Sequence, residues 1–359
     1  MGQKIAVVCN YALNPNRIGG MDRFYVEYDA KAKQLGYEID WYFLNYESFD
    51  FYSGLTIFSA NNENVERFFL EKVHQENLKY TILVTHFLAL CTSFYKKAKL
   101  TGIHKTIAVD HNPRPLEGFP LSKIIKNKIK GVLYSKYINQ FIGVSDYTRK
   151  HILKDYGFFL GKKTTVIYNG IDTSVFKKRT QENTNQFVVS SHLRHSKGIQ
   201  DLILAVAVLD ENIKNQIQID VYGEGPYETE LKEMTKANNI EGIIHFKGGS
   251  SELNELLSYY RYLLQPTYME CFSLSILESL AANVPVITTP VGGNLEIIQN
   301  GTNGYIFKAK DYLALAEILK NIVVGNLKIK NDVSFQIEKD FNLEKMVNEH
   351  IDLLLEVRI

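Results

Sequence analysis

What most constrains this chain is the rhythm of its apolar runs. Short, largely β-branched segments recur along its length. KIAVV, EIDWYFL, YTILVTH, KTIAVDH, QFIGVS and TTVIYN lie in the first half, FVVSS, IQIDVYG, IIHFKG, YLLQPT and VPVITT in the second. Polar or turn residues bound each run, and stretches of helical period lie between them. In GIQDLILAVAVLDEN, Ile199, Leu202, Ile203 and Val206 fall on one stripe. Unbroken apolar strands mark parallel sheets covered on both faces, so strand–helix alternation over the whole chain predicts an α/β protein. At 359 residues it has room for about two domains.

The stretch Lys177 to Gln186, KKRTQENTNQ, holds no apolar residue and reads as an exposed linker. The expected organisation is an N-terminal domain over 1–176, a linker over 177–186 and a second α/β domain over 187–338. A C-terminal helix over 339–359 is expected to pack back toward the first domain. Two such units facing each other across a cleft would present their strand carboxyl ends to one ligand.

Composition closes several alternatives. Lys plus Arg number 41 and Asp plus Glu 40, for a net charge of +1, without the basic excess of a nucleic-acid binder. Cys9, Cys91 and Cys271 lie far apart and form no C-x-x-C pair, which disfavours a disulfide framework or zinc ribbon and fits a reducing compartment. The apolar run IAVV near the N-terminus is too short for a secretory or membrane-spanning segment. MGQKIA lacks the Ser or Thr of a myristoylation signal, so a cytoplasmic protein is expected.

The stretch LLQPTYMECFSLSILESLAANVPVITTPVGGNLEII carries most of the chemistry. A strand ends at Pro266, a loop presents Glu270, and a helix is predicted from about Leu274 to Ala282 with Ser273 as its cap. The start of such a helix suits a phosphate; Glu278, about a turn inside, could reach ribose hydroxyls, and Glu270 a sugar beyond the phosphate. Taken alone, two glutamates at this spacing read more readily as surface residues.

ECFSLSILE, SLAANVPVITTPVGGNLEII and NGTNGYIF resemble the signature of the retaining GT-B glycosyltransferases of glycosyltransferase family 4. NRIGGMDRF, GVSDYTRKHILKDYG, VIYNGIDTSVF, HLRHSKGIQDLILAV and VYGEGPYETEL are similar to further motifs of that family, in order, over most of the chain. The resemblance implies two Rossmann-like domains facing each other across a cleft, and a donor such as a UDP- or GDP-sugar with no bound cofactor and no metal. Residue by residue it implies Glu270 on the transferred sugar, Glu278 on the ribose, Phe272, Ser273, Leu274 and Ser275 amides on the pyrophosphate, and Lys197 as a cation. The chain departs from the family where Cys271 and Ser273 replace glycines and where His192 replaces an arginine. Arg194, two positions on, could fill the arginine's space, and the choice between the two stays open.

In the first half the resemblance places Gly19 and Gly20 near the donor phosphates and acceptor, and His111 near the reacting sugar. His86 ends another strand; Asp110 and Arg114 flank His111 and are candidates for the acceptor. VVCNYALNPNRIGG contains no G-x-G-x-x-G, which disfavours a nicotinamide enzyme. From Gly118 to Ser145 there is no acid, while Lys123, Lys126, Lys128, Lys130 and Lys136 alternate with Ile124, Ile125, Ile129, Val132 and Leu133. That stretch reads either as a peripheral membrane contact or as a core helix with a solvated basic face, the latter being favoured.

The resulting expectation is a retaining glycosyltransferase acting on a glycan or lipid-linked acceptor in cell-envelope polysaccharide synthesis, at the inner face of the membrane or in the cytoplasm. The alternatives are a sugar-nucleotide epimerase or hydrolase on the same scaffold, and a non-catalytic donor-binding subunit.

Overall fold

A computed structural model describes residues 3–15, 18–180 and 185–355. Residues 16 and 17 of the expected glycine loop, 181–184 of the expected linker and 356–359 of the expected C-terminal helix lie outside the described residues. The chain divides into two compact units, one comprising Met1–Pro113, Glu117–Asn169 and Leu343–Ile359, the other Arg114–Leu116 and Gly170–Asn342.

The first unit holds strands β1 (Lys4–Leu13), β2 (Glu38–Tyr46), β3 (Thr56–Ser59), β4 (Ile82–His86), β5 (Lys105–Asp110), β6 (Gln140–Gly143) and β7 (Thr164–Val166). They form one parallel sheet in the order β3-β2-β1-β4-β5-β6-β7. Its helices are α1 (Gly20–Gln34), α2 (Val65–Gln75), α3 (Ser93–Leu100), α4 (Leu121–Tyr134) and α5 (Asp146–Tyr156). The central strand β1 is sealed on both faces, Ile5 to Cys9 having no solvent exposure. Around it pack Tyr25, Trp41 and Phe43, with the Trp41 indole N–H donating to Asp29 at 2.8 Å.

The second unit holds β8 (Gln186–Ser190), β9 (Gln218–Tyr222), β10 (Ile244–Gly248), β11 (Tyr262–Gln265), β12 (Val286–Thr288) and β13 (Gly304–Ile306), parallel in the order β10-β9-β8-β11-β12-β13. Its helices are α6 (Ile199–Ala207), α7 (Glu211–Lys214), α8 (Glu228–Ala237), α9 (Leu253–Leu256), α10 (Leu274–Ala281), α11 (Asn294–Ile297), α12 (Tyr312–Val323) and α13 (Phe335–Asp340). The predicted stripe Ile199, Leu202, Ile203 and Val206 is wholly buried. The last helix, α14 (Leu343–Leu355), returns to the first unit and packs on α1. The two parallel α/β sheets are the Rossmann-like pair expected of a GT-B fold.

One expectation is overturned. Helix α4 is not a core helix with a solvated basic face: its buried residues are Asn127 and Gly131, while Ile125, Ile129, Val132 and Leu133 face solvent. Periodicity shows that apolar residues share a side of a helix, but not which side the rest of the fold covers.

Candidate functional site

In an open parallel sheet the ligand crevice lies at the carboxyl ends of the strands, where the strand order reverses. In the second unit that point lies between β8 and β11. The segment after β8 carries Lys197 and the segment after β11 carries Glu270. They meet there, with Lys197 Nζ 2.7 Å from Glu270 Oε2 and both side chains largely buried.

Two glycines allow this meeting. Gly198 caps α6 with φ +71°, and a Cβ on it would stand 1.8 Å from the Pro266 carbonyl oxygen. Gly292, with φ +64°, lies against the carbonyl of Glu270, where a Cβ would stand 2.2 Å from the oxygen. Hydrogen bonds lock the same contact. The Ser196 carbonyl accepts from the Tyr268 N–H at 2.8 Å and from the Thr267 hydroxyl at 3.2 Å, and the Gly293 N–H donates to the Cys271 carbonyl at 2.9 Å. Neither glycine was among the site candidates, because the demand on each comes from a backbone distant in sequence.

Helix α10 begins where that loop ends. Ser273 caps it, accepting from the Ile276 N–H at 3.4 Å and from the Gln265 side-chain amide. Ile276, Leu277, Ser279, Leu280 and Ala281 are buried, so the accessible strip of α10 consists of Leu274, Ser275 and Glu278. At 1.5 Å per residue, Glu278 lies roughly 7 Å beyond the cap along the helix. Phe272 is buried against Phe341, with ring centroids 5.4 Å apart. Cys271 and Ser273, where glycines were expected, take no left-handed backbone, so their side chains strain nothing there. Both His192 and Arg194 are exposed beside buried Leu193.

In the first unit the order reverses between β1 and β4. Gly19 caps α1 with φ −110°, and its N–H donates to Asp22 Oδ2 at 2.8 Å. Asp22, wholly buried, also accepts from the Tyr11 and Tyr52 hydroxyls at 3.0 and 3.1 Å. Burial raises its carboxyl above the usual carboxylate range against these bonds. Gly20 is the first residue of the helix.

His86, at the end of β4, and His111, just after β5, share a 3.0 Å hydrogen bond between Nδ1 and Nε2, one ring donating and the other accepting. Phe87 stacks on His111 with centroids 4.1 Å apart and has φ +60°, an unusual backbone for a bulky residue. From α14, His350 packs edge-on against His86 and Phe24, its Nε2 buried without a hydrogen-bond partner. Burial, with the neighbouring His350, lowers His111 to about 3. Burial alone lowers His350 to about 3, and His86 is held well below its ordinary value by burial and by both neighbours. Asp110 and Arg114 are buried, Asp110 accepting from the Asn112 backbone at 3.0 Å. His350 and Asp22 were not among the candidates, since neither lies in a recognisable motif.

Among the described residues no group of three or more His, Cys, Asp or Glu is placed to hold a metal ion, and no helix is long and apolar enough to cross a membrane.

Against known proteins, the model "Glycosyl transferases group 1" matches residues 170–335 and "Glycosyltransferase Family 4" matches 18–175. The chain is 27% identical over 209 residues to N-acetyl-alpha-D-glucosaminyl L-malate synthase of Bacillus anthracis, a match covering 55% of this chain and 54% of that protein. It is 28% identical over 233 residues to an uncharacterized glycosyltransferase of Methanocaldococcus jannaschii, covering 62% of each. The matches thus span between half and two thirds of these relatives. Among solved structures, Anabaena HepE in complex with UDP-glucose superposes with a TM-score of 0.79 at 16% identity, over 99% of this chain and 100% of that one. At that identity the likeness speaks for the fold.

Proposed function

The chain belongs to the GT-B glycosyltransferases of the family 4 type, whose two sequence models together span residues 18–335, and on that footing we propose that it moves a sugar from a nucleotide-sugar donor to an acceptor hydroxyl. The observation that carries this reading is the Lys197–Glu270 pair at the strand crossover of the second unit, beside the accessible strip Leu274, Ser275 and Glu278.

In this reading the donor's diphosphate lies at the start of α10, against the amides of Phe272 to Ser275. Amides of a first helical turn have no partner within the helix and carry its positive dipole end. Lys197 shares its charge between Glu270 and the phosphates, so negative charge that develops as the glycosidic bond breaks meets a cation already in place. Arg194 adds a second positive group. Glu278 binds the ribose hydroxyls and Glu270 orients the transferred sugar. The leaving phosphate oxygen takes the acceptor's proton on the face it departs from, so the anomeric configuration is retained. The helix start and the two cations do the electrostatic work here without calling on a metal. In the first unit, neutral His111 hydrogen-bonds a sugar hydroxyl, its ring held by His86 and Phe87.

The UDP-glucose complex of the Anabaena neighbour favours a uridine nucleotide, and the Bacillus anthracis relative an N-acetylglucosaminyl group. The acceptor class is a glycan or lipid-linked saccharide of the cell envelope. Screening by thermal shift against uridine, guanosine and other diphosphate sugars tests this, since a donor at 100 times its Kd stabilises by about 2.7 kcal/mol. A stabilising donor whose labelled sugar passes to material in a membrane extract supports the reading. Absence of any stabilising nucleotide sugar sinks it, interconversion of donors points to an epimerase, and stabilisation without turnover points to a donor-binding subunit.

A further inference from the structure

Helix α4 is seated with its apolar side outward, and we propose that this face docks on an anionic lipid bilayer. The residues of the helix that are fully buried against its own unit are Asn127 and Gly131, with Tyr134 at its last position packed on the core. Gly131 lies so close to the end of α5 that a Cβ would stand 2.0 Å from the Tyr156 carbonyl oxygen, and Asn127, one turn earlier, is buried on the same side. Leu121, Ile125, Ile129, Val132 and Leu133, spaced by turns of the helix, are between 51% and 77% exposed. The turn after α5 adds Phe158 and Phe159, also exposed. Lys128 Nζ stands 5.1 Å from the Phe158 ring centroid and joins the two parts into one surface. Scattered apolar residues on a surface need no explanation, but a gathered set on two adjoining elements does.

Charge decides what covers this face. Lys123, Lys126, Lys128 and Lys136 border the apolar residues, Lys123 lying over the Phe119 ring, and no Asp or Glu occurs from Gly118 to Ser145. Lys130, by contrast, has Glu66 nearby. A second copy meeting the first on this face would set the same lysines against each other with no acid from the stretch to answer them. An anionic bilayer answers both chemistries at once. Headgroups take the ammonium groups at the ends of their flexible stems, and the outer acyl region takes the leucines, isoleucines and phenylalanines. The inference is independent of glycosyl transfer, since none of these residues belongs to the proposed donor site.

Sedimentation of the full chain with vesicles tests it, comparing phosphatidylcholine alone with a mixture rich in phosphatidylglycerol. The protein should sediment with the anionic vesicles and be released by added salt. Ile125→Glu/Ile129→Glu should weaken partitioning by at least on the order of tenfold, as should Phe158→Ser/Phe159→Ser on the neighbouring turn. All these side chains are exposed, so both variants should unfold at the parent temperature. The proposal fails if the parent ignores both vesicles, or if it binds them and neither variant weakens binding. It fails equally if the parent is a dimer in solution that Ile125→Glu/Ile129→Glu splits while vesicle binding is absent.

Discussion

Lys197 and Glu270 stand 73 positions apart in the chain and end 2.7 Å apart because the backbone beside each gives up a side chain, at Gly198 and at Gly292. Their roles should separate in a donor-binding and turnover experiment. Lys197→Ala should slow sugar transfer by on the order of a hundredfold with little change in donor affinity, as when one preorganised donor to a developing charge is removed. Glu278→Ala should weaken nucleotide binding about tenfold to a hundredfold, the loss of a charge-assisted hydrogen bond pair, with a smaller effect on bound turnover. Unchanged kinetics in both variants would remove the site assignment. The cap Ser273 was legible in the sequence because it lies at a helix boundary, where local pattern dictates position, whereas Lys197 and Glu270 drew their roles from the family resemblance. Gly198 and Gly292 were not legible, because the sign of φ at each answers to a carbonyl contributed by another segment.

At the scale of elements, α14 matters to chemistry it does not itself perform, since it carries His350 beside the His86–His111 pair. All three imidazoles are neutral in the folded protein, whereas an unfolded chain protonates them near pH 6.5. Their contribution to stability is therefore complete above that pH and is lost as pH falls from about 6.5 toward 3. The loss amounts to at most about 1.4 kcal/mol per histidine per pH unit. Denaturant midpoints should drop accordingly between neutral and mildly acidic buffer, and His350→Phe should make that fall shallower by one histidine's share. An unaltered slope would place His350 in solvent. Most strands were readable from their apolar runs, yet β3 and β13, of four and three residues, were not among those runs. The outward seat of α4 was equally hidden, because the reason for it, the carbonyl of Tyr156 against Gly131, belongs to another helix.

At the scale of the molecule, the chain leaves its first unit at Asn169 and comes back to it at Leu343. The expected boundary was the polar stretch from Lys177, and the C-terminal helix was expected to pack back toward the first domain. Its inner face, with Met346, Val347, Ile351 and Leu354, is buried. Removing everything from Leu343 onward should therefore uncover apolar surface on the first unit. Burial of such side chains contributes about 1.5–3 kcal/mol each, so the truncated protein should lose the first unit's unfolding transition or aggregate, while the second unit's sheet is untouched. A calorimetric trace identical to the parent's would refute this.

The same return path sets an order of assembly on the ribosome. The second unit, apart from Arg114–Leu116, is synthesised without interruption and is finished before α14 emerges. The earlier-made strands must meanwhile wait, with the side of α1 meant for that helix bare to solvent. A premature stop codon late in the message would thus injure the half of the protein that was translated first.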